Sequence, residues 1–226
     1  MYNISAECQV KTLNEIYTKY FGYPSMGFFV EVGAYDGEFV SNTSFLADAG
    51  WKGLYIEPVS EYYHKCLKRH ESNDVTVANV AIGLEEGEVK MFRGETLSTL
   101  NEEQVKRYQE IDWAAHITFD EINCDQLRLD TLMNRLEVPK NFDILVVDVE
   151  GKESEIFKTF DLDEWRPKMM IVELEDEHPS FQKYPELIEE IRNLRKFIES
   201  KKYVAEYRDT INTVYIAEEI YKGVNR

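Results

Sequence analysis

Short apolar runs alternate with amphipathic stretches along most of this 226-residue chain. The alternation limits the possible folds more than any other feature, because a run that is apolar throughout is typical of a parallel strand covered by helices on both faces. The clearest runs lie at 28–33, 53–57, 142–148 and 169–173. The pattern predicts an α/β fold, a doubly wound, mostly parallel, seven-stranded sheet.

The stretches between these runs supply the remaining elements. Helices are expected at about 8–21, 42–50, 60–70, 129–137, 152–160 and 184–200. Weaker strands are expected at about 75–80 and 88–93, the second in a hairpin after the turn at 85–87. Two strands near 203–209 and 212–217 follow each other so closely that they must form an antiparallel C-terminal hairpin. Because no linker or repeat interrupts the pattern, residues 1–226 are expected to form one domain with a leading helix at about 8–21.

Residues 94–123 lose this rhythm of strands and helices, apart from a polar helix expected at about 101–110. In a regular α/β chain, a long irregular stretch is more often functional than a plain connection. We therefore expect a substrate-side insertion here. Its aromatic residues Tyr108, Trp113 and Phe119 either stack on a sugar ring or form a small core of their own.

The formal net charge of -17 argues against one class of partner. Proteins that bind nucleic acid neutralise phosphates with lysine and arginine, whereas this chain has 26 such residues against 43 acidic ones. The sequence contains no run of roughly 20 apolar residues, which a membrane-spanning helix needs. Its three scattered cysteines suit a reducing compartment. We expect a cytoplasmic protein that neither spans a membrane nor binds nucleic acid.

Acidic residues follow the predicted strands at the end where ligands bind. In a doubly wound sheet, ligands lie beyond the carboxyl ends of the strands, where the strand order reverses. These ends carry Glu31, Glu57, Asp148, Glu150, Glu173 and Glu175, and the first strand runs into the glycine-containing turn 33–37. An acid at the end of the second strand can accept hydrogen bonds from the hydroxyls of a ribose, and Pro58 makes the following bend rigid.

The sign of these charges separates two kinds of nucleotide cofactor. A dinucleotide would place an anionic pyrophosphate over the turn, beside Glu31 and Asp36. S-adenosylmethionine has no phosphate, and its sulfonium and ammonium groups gain from nearby carboxylates. The carboxylates therefore favour the sulfonium cofactor.

Seven motifs extend this argument along the chain. They are FVEVGAYDG at 29–37, SNT at 41–43, GWKGLYIEP at 50–58, NVAIG at 79–83, LSTL at 97–100, LDTL at 129–132 and ILVVDVEG at 144–151. In order and spacing they resemble the FkbM-type methyltransferases, a family with the Rossmann-like class I methyltransferase fold. The resemblance implies an S-adenosylmethionine-dependent O-methyltransferase that acts on a hydroxyl of a saccharide or another small molecule such as a secondary metabolite.

The resemblance also implies roles for matched residues. The turn residues Gly33, Ala34, Tyr35, Asp36 and Gly37 would pass close to the methionine part of the cofactor. Glu57 would hold the ribose, Asn79, Val80 and Ala81 would border the adenine, and Asp148 would lie near the reactive methyl group. Asn42 and Thr43 would contact the amino-acid end, or would instead cap the helix that follows them.

Methyl transfer to a hydroxyl needs a group that receives the hydroxyl proton. The candidates are Asp148, Glu150, Glu173 and His116, with Asp148 and Glu150 favoured because they lie at one strand end. The three acids can alternatively hold a divalent cation that would acidify the hydroxyl. Two other functions stay open at this point: a nucleic-acid methyltransferase of the same fold, and a nicotinamide-dependent oxidoreductase or nucleotide-binding module.

Overall fold

The computed structural model describes residues 9–10, 12–22 and 26–224. The strands are β1 Phe28–Val32, β2 Lys52–Ile56, β3 Val75–Ala78, β4 Ala81–Ile82, β5 Gly87–Arg93, β6 Asp120–Leu127, β7 Ile144–Val147, β8 Met169–Glu173, β9 Tyr203–Arg208 and β10 Asn212–Ala217. The helices are α1 Leu13–Phe21, α2 Ser44–Asp48, α3 Ser60–Arg69, α4 Glu102–Gln109, α5 Leu129–Arg135, α6 Glu153–Ile156, α7 Leu162–Trp165, α8 Pro185–Ser200 and α9 Glu218–Val224.

Seven strands form the main sheet in the order β3-β2-β1-β7-β8-β10-β9. The first five of these are parallel, and β10 runs antiparallel to both β8 and β9. This arrangement confirms the predicted doubly wound sheet and its C-terminal hairpin. The strand order reverses between β1 and β7, which are in register from Phe29 and Ile144 to Val32 and Val147. The carboxyl ends of β1, β2, β7 and β8 consequently meet at one edge.

The central strands are buried because alternate side chains point to opposite faces of the sheet, and each face has its own core. Val30 and Val32 of β1 pack with residues of α5, α7 and α8, whereas Phe29 packs with α1 and α2. Phe29 also covers Gly53 of β2, where an added β-carbon would lie 2.1 Å from the ring. Among the described residues, no helix is long and apolar enough to cross a membrane.

A second, three-stranded sheet corrects the prediction for residues 88–127. The expected hairpin at the 85–87 turn does not form; β5 instead pairs antiparallel with β6, from Gly87 opposite Gln126 to Arg93 opposite Asp120. Strand β6 was missed because most of its side chains are partly or fully exposed, so its sequence has no apolar run. The region 94–123 therefore contains α4, where a polar helix was expected, and the first half of β6, which was not expected.

Several helix boundaries also differ from the predictions. The stretch at 152–160 contains only the short helix α6, and α7 and α9 were not expected. The leading helix begins at Leu13 rather than near 8. Positions 8 and 11 of that predicted helix lie outside the described residues.

Candidate active site

A cavity of about 260 Å³ lies at the carboxyl edge of the main sheet, between the strand ends and the insertion. Its lining includes most residues that were predicted from the sequence. They are Glu31, Gly33, Ala34, Tyr35, Asn42, Glu57, Pro58, Val80, Ala81, Asp148, Glu150 and Glu173. The fold thus brings residues from six separate segments of the chain to one place.

Thr43 and Asn79 lie behind the cavity and support residues that line it. The Thr43 hydroxyl donates a hydrogen bond to the Glu31 carboxylate. The Asn79 side-chain amide donates to the backbone oxygens of Glu57, at 2.9 Å, and of Pro58, at 3.0 Å. Thr43 and Asn79 therefore support residues of the lining and do not line the cavity themselves.

Three other predicted residues also lie outside the lining. The Asp36 carboxylate accepts hydrogen bonds from the backbone N–H groups of residues 38 and 39, at 3.0 and 2.8 Å, and so closes the turn. Gly37 packs against His70, whose Nε2 lies 2.8 Å from the Gly37 oxygen. His116 is exposed on the surface, so the structure does not bring it to the strand-end acids.

Gly33 is the closest contact between the first turn and the end of β7. Its φ is +89°, and an added β-carbon would lie 1.7 Å from the backbone oxygen of Asp148. The N–H groups of Gly33 and Ala34 both donate to the oxygen of Ile56, at 3.0 and 3.1 Å. Only glycine combines this left-handed backbone with so close an approach.

Glu57 is buried at the end of β2 with its carboxylate held by two backbone groups. One oxygen accepts from the N–H of Tyr35 at 2.9 Å and the other from the N–H of Val59 at 2.7 Å. Burial raises the pKa of Glu57 to about 8, although both N–H groups favour the charged form. Since a carboxylate offers about four lone-pair sites, two remain for a ligand in the cavity.

Glu31 is also buried, but it is held by side-chain hydroxyls. Ser41 lies 3.1 and 3.2 Å from its two carboxylate oxygens, and Thr43 donates to it as well. Burial raises the pKa of Glu31 to about 7. This network fixes the start of α2 against β1, and it places Asn42 on the cavity wall.

Four acids form the other half of the site. Burial raises the pKa of Asp148, Glu150, Glu173 and Glu175, and repulsion between neighbouring carboxylates adds to the shift in the three glutamates. Among the described residues that line the cavity, Lys152 is the one lysine or arginine, and its Nζ lies 2.5 Å from Glu155. The cavity therefore presents acids without a free counter-charge.

Three of these acids lie close enough to share one metal ion. Asp148, Glu150 and Glu173 each offer an oxygen, and these oxygens lie within 4.8 Å of one another. Such an all-oxygen set suits Mg²⁺, Ca²⁺ or Mn²⁺. A divalent cation at this position stays a prediction.

The insertion holds the loop that carries Glu150. The Thr99 hydroxyl donates to the Glu150 backbone oxygen at 2.7 Å, Asn101 donates to the Gly151 oxygen at 3.0 Å, and the Tyr108 hydroxyl donates to the Glu150 carboxylate. Glu150 adopts a φ of +57°, which is uncommon for a residue with a side chain. The insertion therefore forms a wall of the site and keeps Glu150 in this conformation.

The aromatic residues of the insertion divide between the core and the cavity. Tyr108 is fully buried and Phe119 packs against the same core, but Trp113 is 45% exposed and lines the cavity. The Trp113 indole N–H donates to the Ser180 hydroxyl at 3.1 Å, and its ring lies edge-on to His178. Trp113 therefore lies at the cavity with an exposed side chain, whereas the buried Tyr108 lines the cavity from within the core.

Sequence reasoning missed several lining residues that come from distant elements. Tyr62 of α3 and Met91 of β5 line the end of the cavity near Pro58, and Gln9 and His178 line other parts of it. The alternation within 87–93 hinted that Met91 points inward. No local sequence pattern indicated Tyr62, Gln9 or His178 as lining residues. Their positions depend on how α3, α1 and the segment after β8 pack.

A doubly wound sheet of this order, with a cavity beside the strand-order reversal, belongs to the class of folds that bind a ligand beyond the carboxyl ends of their strands. Two solved structures share the fold. An O-methyltransferase from Bacillus cereus in complex with SAH has 15% identity and a TM-score of 0.50, and the alignment covers 95% of this chain and 83% of that one. The O-methyltransferase TomG from Streptomyces achromogenes, in complex with SAM and involved in Tomaymycin synthesis, has 12% identity, a TM-score of 0.52 and coverage of 96% and 82%.

The model of the methyltransferase FkbM domain matches residues 31–205. The chain therefore belongs to the FkbM methyltransferase family and is an S-adenosylmethionine-dependent methyltransferase. This confirms the resemblance drawn from the seven motifs and removes the nicotinamide-dependent oxidoreductase from consideration. No curated protein sequence matches the chain.

Proposed function

We propose that this protein transfers a methyl group from S-adenosylmethionine to a hydroxyl of a saccharide or another small molecule. One observation carries the proposal: the cavity joins the buried carboxylate of Glu57, which has acceptor sites left, to a group of buried and half-buried acids without a free counter-charge. S-adenosylmethionine carries a ribose beside its adenine and, toward its methionine end, a sulfonium and an ammonium group, so its chemistry suits both halves.

The residues on the cavity wall fit the three parts of this cofactor. Gly33, Ala34 and Asn42 would hold the methionine part, because they line the cavity beside the first turn. Glu57 would accept the ribose hydroxyls through its two remaining lone-pair sites. Pro58, with Val80 and Ala81, would border the adenine. When bound, the cofactor supplies an electrophilic methyl group.

The acids at the ends of β7 and β8 would receive the proton of the acceptor hydroxyl. A general base works best when its pKa lies near the working pH, and burial moves the pKa of Asp148, Glu150 and Glu173 upward in that direction. Asp148 and Glu150 are the favoured bases, since Tyr108 and Thr99 hold the Glu150 loop in place. His116 is not proposed as a base, because it is exposed and lies outside the cavity lining.

The exposed side chain of Trp113 at the cavity supports a saccharide as the acceptor. Sugar rings have an apolar face of C–H groups and a rim of hydroxyls. Trp113 offers a flat apolar surface whose N–H is already bonded to Ser180, and the nearby acids Glu173 and Glu175 can accept hydroxyl protons. A nucleic acid fits less well, because its phosphates would meet these acids and a chain of net charge -17.

Calorimetry with S-adenosylmethionine, S-adenosylhomocysteine and NAD tests the cofactor. We expect the first two to bind and NAD not to bind; the reverse result would overturn the proposal. Transfer of a tritiated methyl group, screened over neutral sugars, polysaccharides and RNA, tests the acceptor. Labelled RNA, with binding that weakens steeply as salt is added, would replace the saccharide with a nucleic acid.

The same assays test the divalent cation. Titration with Mg²⁺ or Mn²⁺ after treatment with EDTA should give heat that is lost when Glu173 is replaced by glutamine. If methyl transfer is unchanged by EDTA and no heat is measured, the carboxylates act directly as bases.

A further inference from the structure

Gln9 is a lining residue that lies outside the segment matched by the FkbM domain, which begins at residue 31. It precedes α1 and reaches the cavity from the N-terminal side of the chain. Its side chain contacts one lining residue and lies beside another. Its Oε1 accepts a hydrogen bond from the Asn42 side-chain amide at 3.2 Å, and its amide favours the charged form of the nearby Asp148, against the burial that raises the pKa of that acid.

The backbone beside Gln9 is held in the same place. The N–H of Val10 donates to Asn42 Oδ1 at 3.2 Å, so both the oxygen and the nitrogen of the Asn42 amide bond to residues 9 and 10. Val10 is fully buried in the core formed with α1 and α2. Gln9 is therefore attached to the body of the protein, and its side chain is directed across the cavity edge.

We propose that Gln9 closes the amino-acid end of the cofactor site and is a binding residue for the methionine part of S-adenosylmethionine. This inference rests on the proposed function. Asn42 comes from the start of α2 and Asp148 from the end of β7, and both are expected near the methionine part. Gln9 is the neutral amide beside both, and its hydrogen bond to Asn42 fixes that side chain before the ligand enters.

The chemistry of an amide suits this position. The cofactor's amino-acid end carries both an ammonium and a carboxylate, and an amide can accept a hydrogen bond from the first or donate one to the second. An acid in place of Gln9 would repel Asp148, and a lysine would occupy the space intended for the ligand's own cation. Because Gln9 lies at this end only, it should contribute nothing to binding of the ribose and adenine.

Two nucleosides separate this role from a general structural one. S-adenosylhomocysteine contains the amino-acid end, whereas 5′-methylthioadenosine has the same ribose, adenine and thioether without it. Gln9→Leu keeps the size of the side chain and removes its hydrogen bonds. We expect the variant to bind S-adenosylhomocysteine about tenfold more weakly, equal to about 1.4 kcal/mol, and to bind 5′-methylthioadenosine as the wild type does.

Gln126→Leu is the matched control. Gln126 is a buried glutamine of β6 that donates to the Glu85 oxygen at 2.7 Å and does not line the cavity. This variant should bind both nucleosides normally. Each affinity is measured by calorimetry, and thermal unfolding of both variants is recorded alongside.

The outcomes are distinct. If the wild type binds neither nucleoside, the proposed cofactor site is wrong and the inference falls with it. If the wild type binds both and Gln9→Leu binds S-adenosylhomocysteine equally well, only the inference is overturned. The inference is also overturned if Gln9→Leu loses the same affinity for both nucleosides. It is likewise overturned if Gln126→Leu loses affinity for S-adenosylhomocysteine alone. Either result would mean that the substitution acts through a change in the folded structure and not through contact with the amino-acid end.

Discussion

Replacing Glu57 by glutamine is expected to weaken binding of S-adenosylhomocysteine while leaving the protein folded. In the wild type, the carboxylate accepts hydrogen bonds from the N–H groups of Tyr35 and Val59, and two lone-pair sites remain for the ribose hydroxyls that we propose it binds. Glutamine has a single acceptor oxygen. That oxygen can keep one backbone bond and accept one ribose hydroxyl, while the new NH₂ group faces the other backbone N–H.

The expected loss follows from this count. One charge-assisted hydrogen bond to the ribose disappears and the other becomes neutral, which costs about 1–3 kcal/mol of binding free energy. That range corresponds to an affinity lower by roughly fivefold to more than a hundredfold. The loss should depend on pH. Burial raises the pKa of Glu57 to about 8, and only the ionised carboxylate accepts all four bonds, so the wild type should bind more tightly as the pH rises through 8.

Calorimetry with S-adenosylhomocysteine, on both proteins at pH 6, 7.5 and 9, measures this difference. Glu61→Gln is the control, because Glu61 is an exposed acid of α3 outside the cavity lining. Thermal unfolding over the same pH range gives a second measure. The pKa of Glu57 is raised by folding from 4.5, so its contribution to stability is complete below about pH 4.5 and is lost as the pH passes 8. Glu57→Gln lacks this loss.

Two results would refute the reasoning about Glu57. The first is that Glu57→Gln binds S-adenosylhomocysteine within twofold of the wild type at pH 9. The second is that the two proteins show the same change of affinity with pH, since another group would then cause it.

Three further predictions concern other parts of the site. The melting temperature of the ligand-free protein should fall between about pH 5 and 8. Burial raises the pKa of Glu31 and Glu153 from 4.5 to about 7, so their contributions to the stability of the folded state are lost as the pH rises through that value. Scanning fluorimetry at constant ionic strength measures this change, and a rising melting temperature would contradict the prediction. Gly33→Ala should abolish S-adenosylhomocysteine binding and lower the melting temperature, because the new β-carbon would lie 1.7 Å from a backbone oxygen. Gly50→Ala is the control: Gly50 has a φ of +91° but open space around it, so this variant should lose only about 1–2 kcal/mol of stability. Trp113→Ala should keep the affinity for S-adenosylhomocysteine and lower kcat/KM for a saccharide acceptor by about tenfold or more. If the variant instead lost affinity for S-adenosylhomocysteine to the same degree, the indole would belong to the cofactor site.

The central fold was predictable because its strands are apolar throughout. Strands β1, β2, β7 and β8 lie where the apolar runs are, since a strand covered on both faces has no position for a polar side chain except at its end. Their strand-end acids were predictable for the same reason. The closing strands β9 and β10 followed from their short connection.

Elements that are half-exposed were not predictable in the same way. The exposed positions of strand β6 are acidic or amide residues, so its sequence resembles a polar loop. It becomes a strand because β5 pairs with it along seven residue positions and β4 pairs with its end. The information for that pairing lies in another part of the chain, more than twenty residues away.

Glu31 and Glu57 show where sequence and tertiary structure divide. The sequence by itself determined that both acids lie at the carboxyl end of a parallel strand and meet at one edge of the sheet, because the positions depend on local burial and strand direction. Only the tertiary structure decided their different surroundings. Glu31 is held by the Ser41 and Thr43 hydroxyls, while Glu57 is held by backbone N–H groups. In the same way, only packing brings Gln9 across the chain to Asp148, because contacts between distant segments leave no periodic pattern in the sequence.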